Sequence, residues 1–218
     1  DFLLDRMFTR EGGFAASLDA DTDGVEGLTY AWTPLQLADV LGTDDGAWAA
    51  NLLTVTGGGT FEDGKSTLQL LREPDDPVRW ADIRTRLLEA RDQRPQPARD
   101  DKVITAWNGL AIAALAEAGA VLGEERWLAA ATAAAELVVS LHLVDGRLRR
   151  ASRDGAVGHA AGVLEDYGCL AEGLLLLHAT TATPRWLSVA VDLLDTALAH
   201  FARSEEHTSE LQSRTLIS

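Results

Sequence analysis

The stretch "RDDKVITAWNGLAIAALAEAG", Arg99 to Gly119, decides the fold. Its second half is apolar, rich in Ala and without a breaker, so it reads as one long helix of a mainly helical protein. An Asp-Asp-Lys group, then Trp-Asn-Gly, stand at the mouth of that helix. Acidic residues suit a helix start, where they accept from free N–H groups and meet the positive end of the dipole. The Trp-Asn pair has no capping duty, and it marks the leading turns as a candidate site.

Outward from this stretch, the chain repeats. Setting Gly109 on Gly168, an offset of 59, places Arg126-Trp127-Leu128 on Arg185-Trp186-Leu187, Leu115 on Leu174 and Ala131 on Ala190. Each unit reads as helix, short turn, helix, over about 102–122 and 125–142, then about 163–180 and 184–202. Helices joined by so short a turn form an antiparallel hairpin. Ala111, Ala114, Ala118, Gly168 and Ala171 allow close approach, and two hairpins in common register stack side by side. First helices then form one layer and second helices another. In this alignment Trp107 and Asn108 fall on Asp166 and Tyr167, so both polar pairs are expected at the same end.

The remaining segments are mixed. "DGRLRRASRDGAVGHAAG", 145–162, has Asp-Gly pairs beside short extended runs and suggests hairpin loops. "EGGFAASLDADTDGVEGLTYAWTP", 11–34, reads as strand, acidic turn, strand, then a helix with Thr33 as N-cap and Pro34 at its first position. A further helix is expected from about Pro77 to Gln93, closed by "RPQP", and "DFLLDRMF" at the start reads as helical. "RSEEHTSELQS", 203–213, reads as one frame of a common short-read sequencing adapter, and the apolar period of the preceding helix stops before it. Residues 203–218 are therefore expected to be a non-native, disordered tail, and 1–202 the domain.

Bulk properties bound the function. A chain of 218 residues with 46% apolar content can bury a real core. Its net charge of −15 argues against nucleic acid and against an anionic membrane surface. Cys169 alone permits no internal disulfide or Cys-x-x-Cys pair. No apolar run is expected to approach a membrane span. The chain opens without Met inside a helix, so a fragment is expected, and the setting is taken as cytoplasmic.

Several short motifs compete with plain turns. "GTFEDGKS", Gly59 to Ser66, matches the phosphate-loop pattern, but only about eight residues follow before Pro74 and two acids sit inside the loop. A Gly-rich turn is preferred. "DADTDG", Asp19 to Gly24, fits half a calcium loop, but the closing Glu position is Tyr30, so no metal is assigned. Lys102 is one of only two lysines against 17 arginines, and an Asp-Lys pair near a cavity can orient a hydroxyl. No G-x-S-x-G, H-E-x-x-H or nucleophilic Cys arrangement is present, and the histidines lack ligand spacing.

Three blocks, "GGFAASLDADTDGVEGLTYAWTP", "RPQPARDDKVITAWNGLAIAALA" and "LEDYGCLAEGLLLL", resemble the spermatogenesis-associated, thioredoxin-domain-containing protein family over essentially 1–202. The resemblance implies an upstream thioredoxin-like domain followed by an (α/α)6 toroid like those of six-hairpin glycosidases and N-acylglucosamine 2-epimerases. The present chain would be the middle of that toroid, mainly α and incomplete, with short β-hairpins in its loops. One departure is Leu18, where the family commonly has Glu before Asp19.

On this resemblance, Asp19, Asp21, Asp101 and Asp166 are the candidate catalytic carboxylates around a central funnel. Lys102, Trp107, Asn108, Tyr167, Glu26 and Trp32 are the candidate substrate-binding residues. The expected ligand is a small carbohydrate, with no cofactor and no metal, and the expected reaction is glycosidase-like, or epimerase-like with less support because no His maps to the mouth. The fragment alone is expected to be inactive. The alternative is a non-catalytic binding or scaffold module serving the thioredoxin-like domain.

Overall fold

The computed structural model describes residues 1–202, so the expectation for the tail lies outside the described residues. The chain divides into two compact units: Leu18–Ala98, and Asp1–Ser17 together with the chain from Arg99 onward. In order, the elements are β1 (Ala15–Leu18), β2 (Asp21–Thr22), β3 (Val25–Glu26), α1 (Pro34–Leu41), α2 (Thr43–Leu52), α3 (Pro77–Asp92), β4 (Arg99–Ile104), α4 (Thr105–Leu122), α5 (Glu125–His142), β5 (Leu143–Val144), β6 (Arg147–Leu148), β7 (Ala151–Arg153), β8 (Ala156–Val157), α6 (Leu164–Thr181) and α7 (Pro184–Phe201). The fold is mainly helical with small sheets.

In the Leu18–Ala98 unit, Asp23 and Gly24 both take positive φ, 51° and 74°, which closes β2 onto β3 in a two-residue hairpin. Thr33 opens α1 as expected: its Oγ1 accepts from the Gln36 N–H at 3.2 Å while Gln36 Oε1 accepts from the Thr33 N–H at 2.9 Å. Helix α2 follows at once, with Gly46 in its middle, and the sequence reading did not separate it from α1. Gly46 is there for packing: a Cβ on it would lie 2.7 Å from Ala38 Cα of α1. Trp32, Leu37, Leu41, Leu53, Val55, Ile83 and Leu87 form the core of this unit. The phosphate-loop match is a turn. No helix opens at Ser66, since α3 begins only at Pro77, and the buried Ser66 Oγ accepts from the Thr60 N–H at 3.2 Å within the loop.

In the other unit, all four helix boundaries repeat at the offset of 59. Both hairpins turn through a left-handed residue, Gly123 at φ 72° and Ala182 at φ 51°, whose N–H bonds back to Gly119 and His178. Helices α4 and α6 run side by side in the same direction: Ala106 meets Asp166, Gly109 meets Cys169 and Leu170, and Ile112 meets Gly173. Two further Asp-Gly pairs, 145–146 and 154–155, close the β5–β6 and β7–β8 hairpins with positive φ at both residues.

Two expectations need correction. The Asp-Asp-Lys group is not a helix cap. Residues 99–104 form β4 in the sheet ordered β1-β4-β7-β8, pairing Val103 with Ser152 and Ile104 with Ala151. The backbone donors of this run go to a sheet, and α4 begins only at Thr105. The second concerns apolar length. By length and composition alone, α4 could cross a membrane; half of it is buried inside the protein, as in a core helix.

Candidate functional site

The leading turns of α4 and α6 do come together, but their polar groups are turned inward. Asp166 has no exposed surface. Its Oδ1 accepts from the Ala106 N–H at 3.1 Å, which caps α4 from the neighbouring helix. Its Oδ2 accepts from the Val163 N–H at 2.8 Å and from Arg150 Nη1 at 3.1 Å. One carboxylate thus serves the first turns of two helices, each of which has free N–H groups to satisfy.

Asn108 is equally buried. Its Oδ1 accepts from the Phe14 N–H at 2.8 Å, and its Nδ2 donates to Phe14 O and Ile104 O, both at 3.0 Å. The amide fills a missing place in a backbone ladder and fastens the N-terminal segment to α4. Tyr167 is buried too, and its hydroxyl accepts from the Leu148 N–H at 3.0 Å and Arg147 Nε at 3.3 Å. These three residues are positioned by the fold and in turn hold it.

Asp101, Lys102 and Trp107 are accessible. Asp101 pairs with Arg99 Nε at 2.5 Å, while Arg99 also donates to the carbonyls of Arg6 and Phe8. Lys102 Nζ lies 2.8 Å from Asp100, whose carboxyl is held below its ordinary range mainly by that hydrogen bond. Trp107, on the first turn of α4, is 47% exposed. In the Leu18–Ala98 unit, Asp19, Asp21 and Glu26 are exposed on the β2–β3 hairpin and its approach. Trp32 is 2% exposed in the core, with the Arg94 guanidinium 3.6 Å above its ring. Among the described residues, no three His, Cys, Asp or Glu side chains converge as metal ligands.

Sequence reading missed a buried polar chain behind the leading turn of α4. Thr105 Oγ1 donates to Arg149 O at 2.7 Å, so its one proton is committed and it must accept from His142 Nδ1 at 2.7 Å. His142 Nε2 is then the bare nitrogen and accepts from Ser152 Oγ at 2.7 Å. By distance this is a nucleophile–base pair. Ser152 is only 4% exposed, though, and the third member is the neutral Thr105, so the chain is a structural link between β7, α5 and α4. Nothing in residue spacing signals it, because the three residues come from separate elements.

Burial lowers the His142 pKa to about 4, against a smaller upward pull from Asp166. A histidine with a folded pKa below its unfolded value takes its proton first in the unfolded chain. The stability it supports is therefore complete above about pH 6.5 and lost as pH falls toward 4, by roughly 3 kcal/mol in all. Urea midpoints should fall between pH 6.5 and 5, and His142→Gln should flatten that slope. An unchanged slope in the variant would remove His142 as the cause.

No family model matches the chain. It is 39% identical over 121 residues to spermatogenesis-associated protein 20 of Homo sapiens, covering 51% of this chain and 15% of that protein. The Mus musculus protein of the same name is 37% identical over the same length. An uncharacterized Caenorhabditis elegans protein is 26% identical over 232 residues, covering 87% of this chain and 32% of its own length. The chain thus spans a small part of the curated relatives it matches, and over half of its length the likeness supports a place in the spermatogenesis-associated protein 20 family.

Proposed function

We propose that this chain is a non-catalytic binding or scaffold segment of a longer protein, two successive hairpins of an (α/α)6 toroid that serves an attached thioredoxin-like domain. The observation that carries this reading is the fate of the polar leading turns. Asp166, Asn108 and Tyr167 have no exposed surface and direct their polar atoms to the protein's own backbone and Arg residues. A carboxylate that handles a proton on a substrate must reach it directly or through one water. Asn108→Ala tests this reading without an activity assay. Losing three buried hydrogen bonds and stranding the Phe14 groups should cost about 2–4 kcal/mol. Residues poised for a ligand are commonly replaced at no cost to stability, so an unchanged or higher urea midpoint would contradict the scaffold role.

Trp107 favours a second reading. An exposed indole on the first turn of α4 suits stacking on a sugar face. Titrating the full chain with neutral oligosaccharides while following tryptophan fluorescence would show saturable quenching, abolished by Trp107→Ala at unchanged stability. Absence of saturable quenching that depends on Trp107 rejects this reading and leaves the first intact.

A further inference from the structure

The β5–β6 hairpin meets the last turn of α7 in a group of hydrogen-bond donors that is short of acceptors. Arg147, the first residue of β6, donates through Nε to Tyr167 Oη at 3.3 Å, and its Nη1 lies 3.0 Å from His200 Nε2. A guanidinium can only donate, so His200 Nε2 accepts and that ring carries its proton on Nδ1. The other N–H groups of Arg147 have no acceptor among the described residues.

Tyr167 shows the same surplus. It has no exposed surface, and its hydroxyl oxygen receives both Arg147 Nε and the Leu148 N–H, the latter at 3.0 Å. With two donors already on that oxygen, its own hydrogen needs an acceptor, and none is present among the described residues. A buried donor without a partner is costly, so this one asks for an explanation.

The charge is equally one-sided. Neither Arg147 nor His200 forms an ion pair among the described residues, in a chain with 34 acidic side chains against 19 lysines and arginines. Arg149 lies two residues further along the same extended run, on the same face, and its guanidinium donates only to His159 O. The C-terminal end of α7 favours a cation nearby. No α7 carbonyl accepts from Arg147, however, so the helix end accounts for its charge and not for its idle N–H groups.

We propose that Arg147, Tyr167 and His200 form a site for a phosphate group, either the free ion or the end of a small phosphorylated molecule. Two phosphate oxygens accept from the Arg147 fork, the pairing that a planar guanidinium makes best. A further oxygen accepts from the Tyr167 hydroxyl, and His200 leaves Arg147 and donates a ring N–H. A carboxylate has only two oxygens and cannot serve all these donors. The site goes beyond both readings above and needs neither, so a negative result here leaves the Asn108 and Trp107 tests standing.

The test follows the histidine ring signals of the full chain by NMR during titration with inorganic phosphate, at fixed pH and ionic strength. The His200 signal, assigned by its loss in His200→Gln, should shift and saturate. The signals of His142 and His178, which are hydrogen-bonded elsewhere, should stay in place. Acetate should shift His200 more weakly. Arg147→Gln should abolish the saturable shift, and Arg147→Lys, which keeps the charge without the fork, should weaken it. Glycerol phosphate in place of inorganic phosphate separates the two sources: tighter binding assigns the site to a monoester, weaker binding to the free ion. A His200 signal that does not move, acetate binding as tightly as phosphate, or a saturable shift unchanged in either Arg147 variant would overturn the proposal.

Discussion

Replacing Asp166 with Ala should lower the stability of the chain by about 2–4 kcal/mol, as expected when two helix-start N–H groups lose a buried carboxylate acceptor. The Ala106 and Val163 N–H groups would be left without their acceptor, each at a cost of about 1–3 kcal/mol. Arg150 is less affected, because its side chain is 38% exposed and can turn to water or to Glu165. Asp166→Asn should cost less. Its remaining oxygen can still cap one helix, but its amide presents donors where Val163 and Arg150 also donate. Urea unfolding at pH 7 reads both values. A domain of this size has only about 5–15 kcal/mol in total, so the Ala variant should be largely unfolded at moderate urea. A loss below about 0.5 kcal/mol would be the ordinary behaviour of a surface position, and would mean that the two helix starts do not depend on Asp166.

The second large effect is at Gly109. Alanine there gains helix propensity, about 1 kcal/mol over Gly, but its methyl would enter the backbone of α6 at Cys169 and Leu170. Backbone at that distance cannot rotate away, so α4 and α6 must separate along their length. The net loss should reach about 3 kcal/mol or more, at or beyond the usual range for overpacking. The same change at Gly168, where a Cβ would meet nothing within 4 Å, should instead stabilise the chain, by about 0.5–1 kcal/mol. The opposite signs at equivalent positions of one repeat make the pair informative, since a general effect of Gly→Ala in helices would move both the same way. Denaturation midpoints of the two variants, measured side by side, decide it.

Much of this fold could be read from the residues. The offset of 59, seen first as Gly on Gly and Arg-Trp-Leu on Arg-Trp-Leu, reappears as four helix boundaries displaced by that number. Turn chemistry was equally legible: Asp-Gly pairs close three hairpins, and Thr33-Pro34 opens α1. What escaped was decided by distant partners. Residues 99–104 look like a capped helix start until β7, about fifty residues later, supplies a strand to pair with. Gly46 sits in the middle of α2 because Ala38 of α1 leaves no room for a side chain there.

The candidate site was legible in position and not in orientation. The alignment placed Trp107-Asn108 and Asp166-Tyr167 at matching helix starts. Which of these four side chains faces solvent depends on where each falls around the helix and on what lies beside it. Trp107 is half-exposed, while Asp166, its repeat equivalent, is buried against the first turn of α4. A short polar residue at a helix start can turn back to cap backbone, whereas an indole cannot accept from an N–H at all. The acid at this place therefore became a fastening, and the Trp remained available.

Hydrogen exchange at the Ala106 amide tests this directly. Amides in the first turn of a helix normally lack an intrahelical partner and exchange readily. With Asp166 Oδ1 at 3.1 Å, the Ala106 amide should instead exchange at the slow rate of the buried helix interior, and Asp166→Ala should make it fast while amides in the middle of α4 stay protected. A fast Ala106 amide in the unmodified protein would mean that the two leading turns are not joined, and that the polar end of the hairpins is open after all.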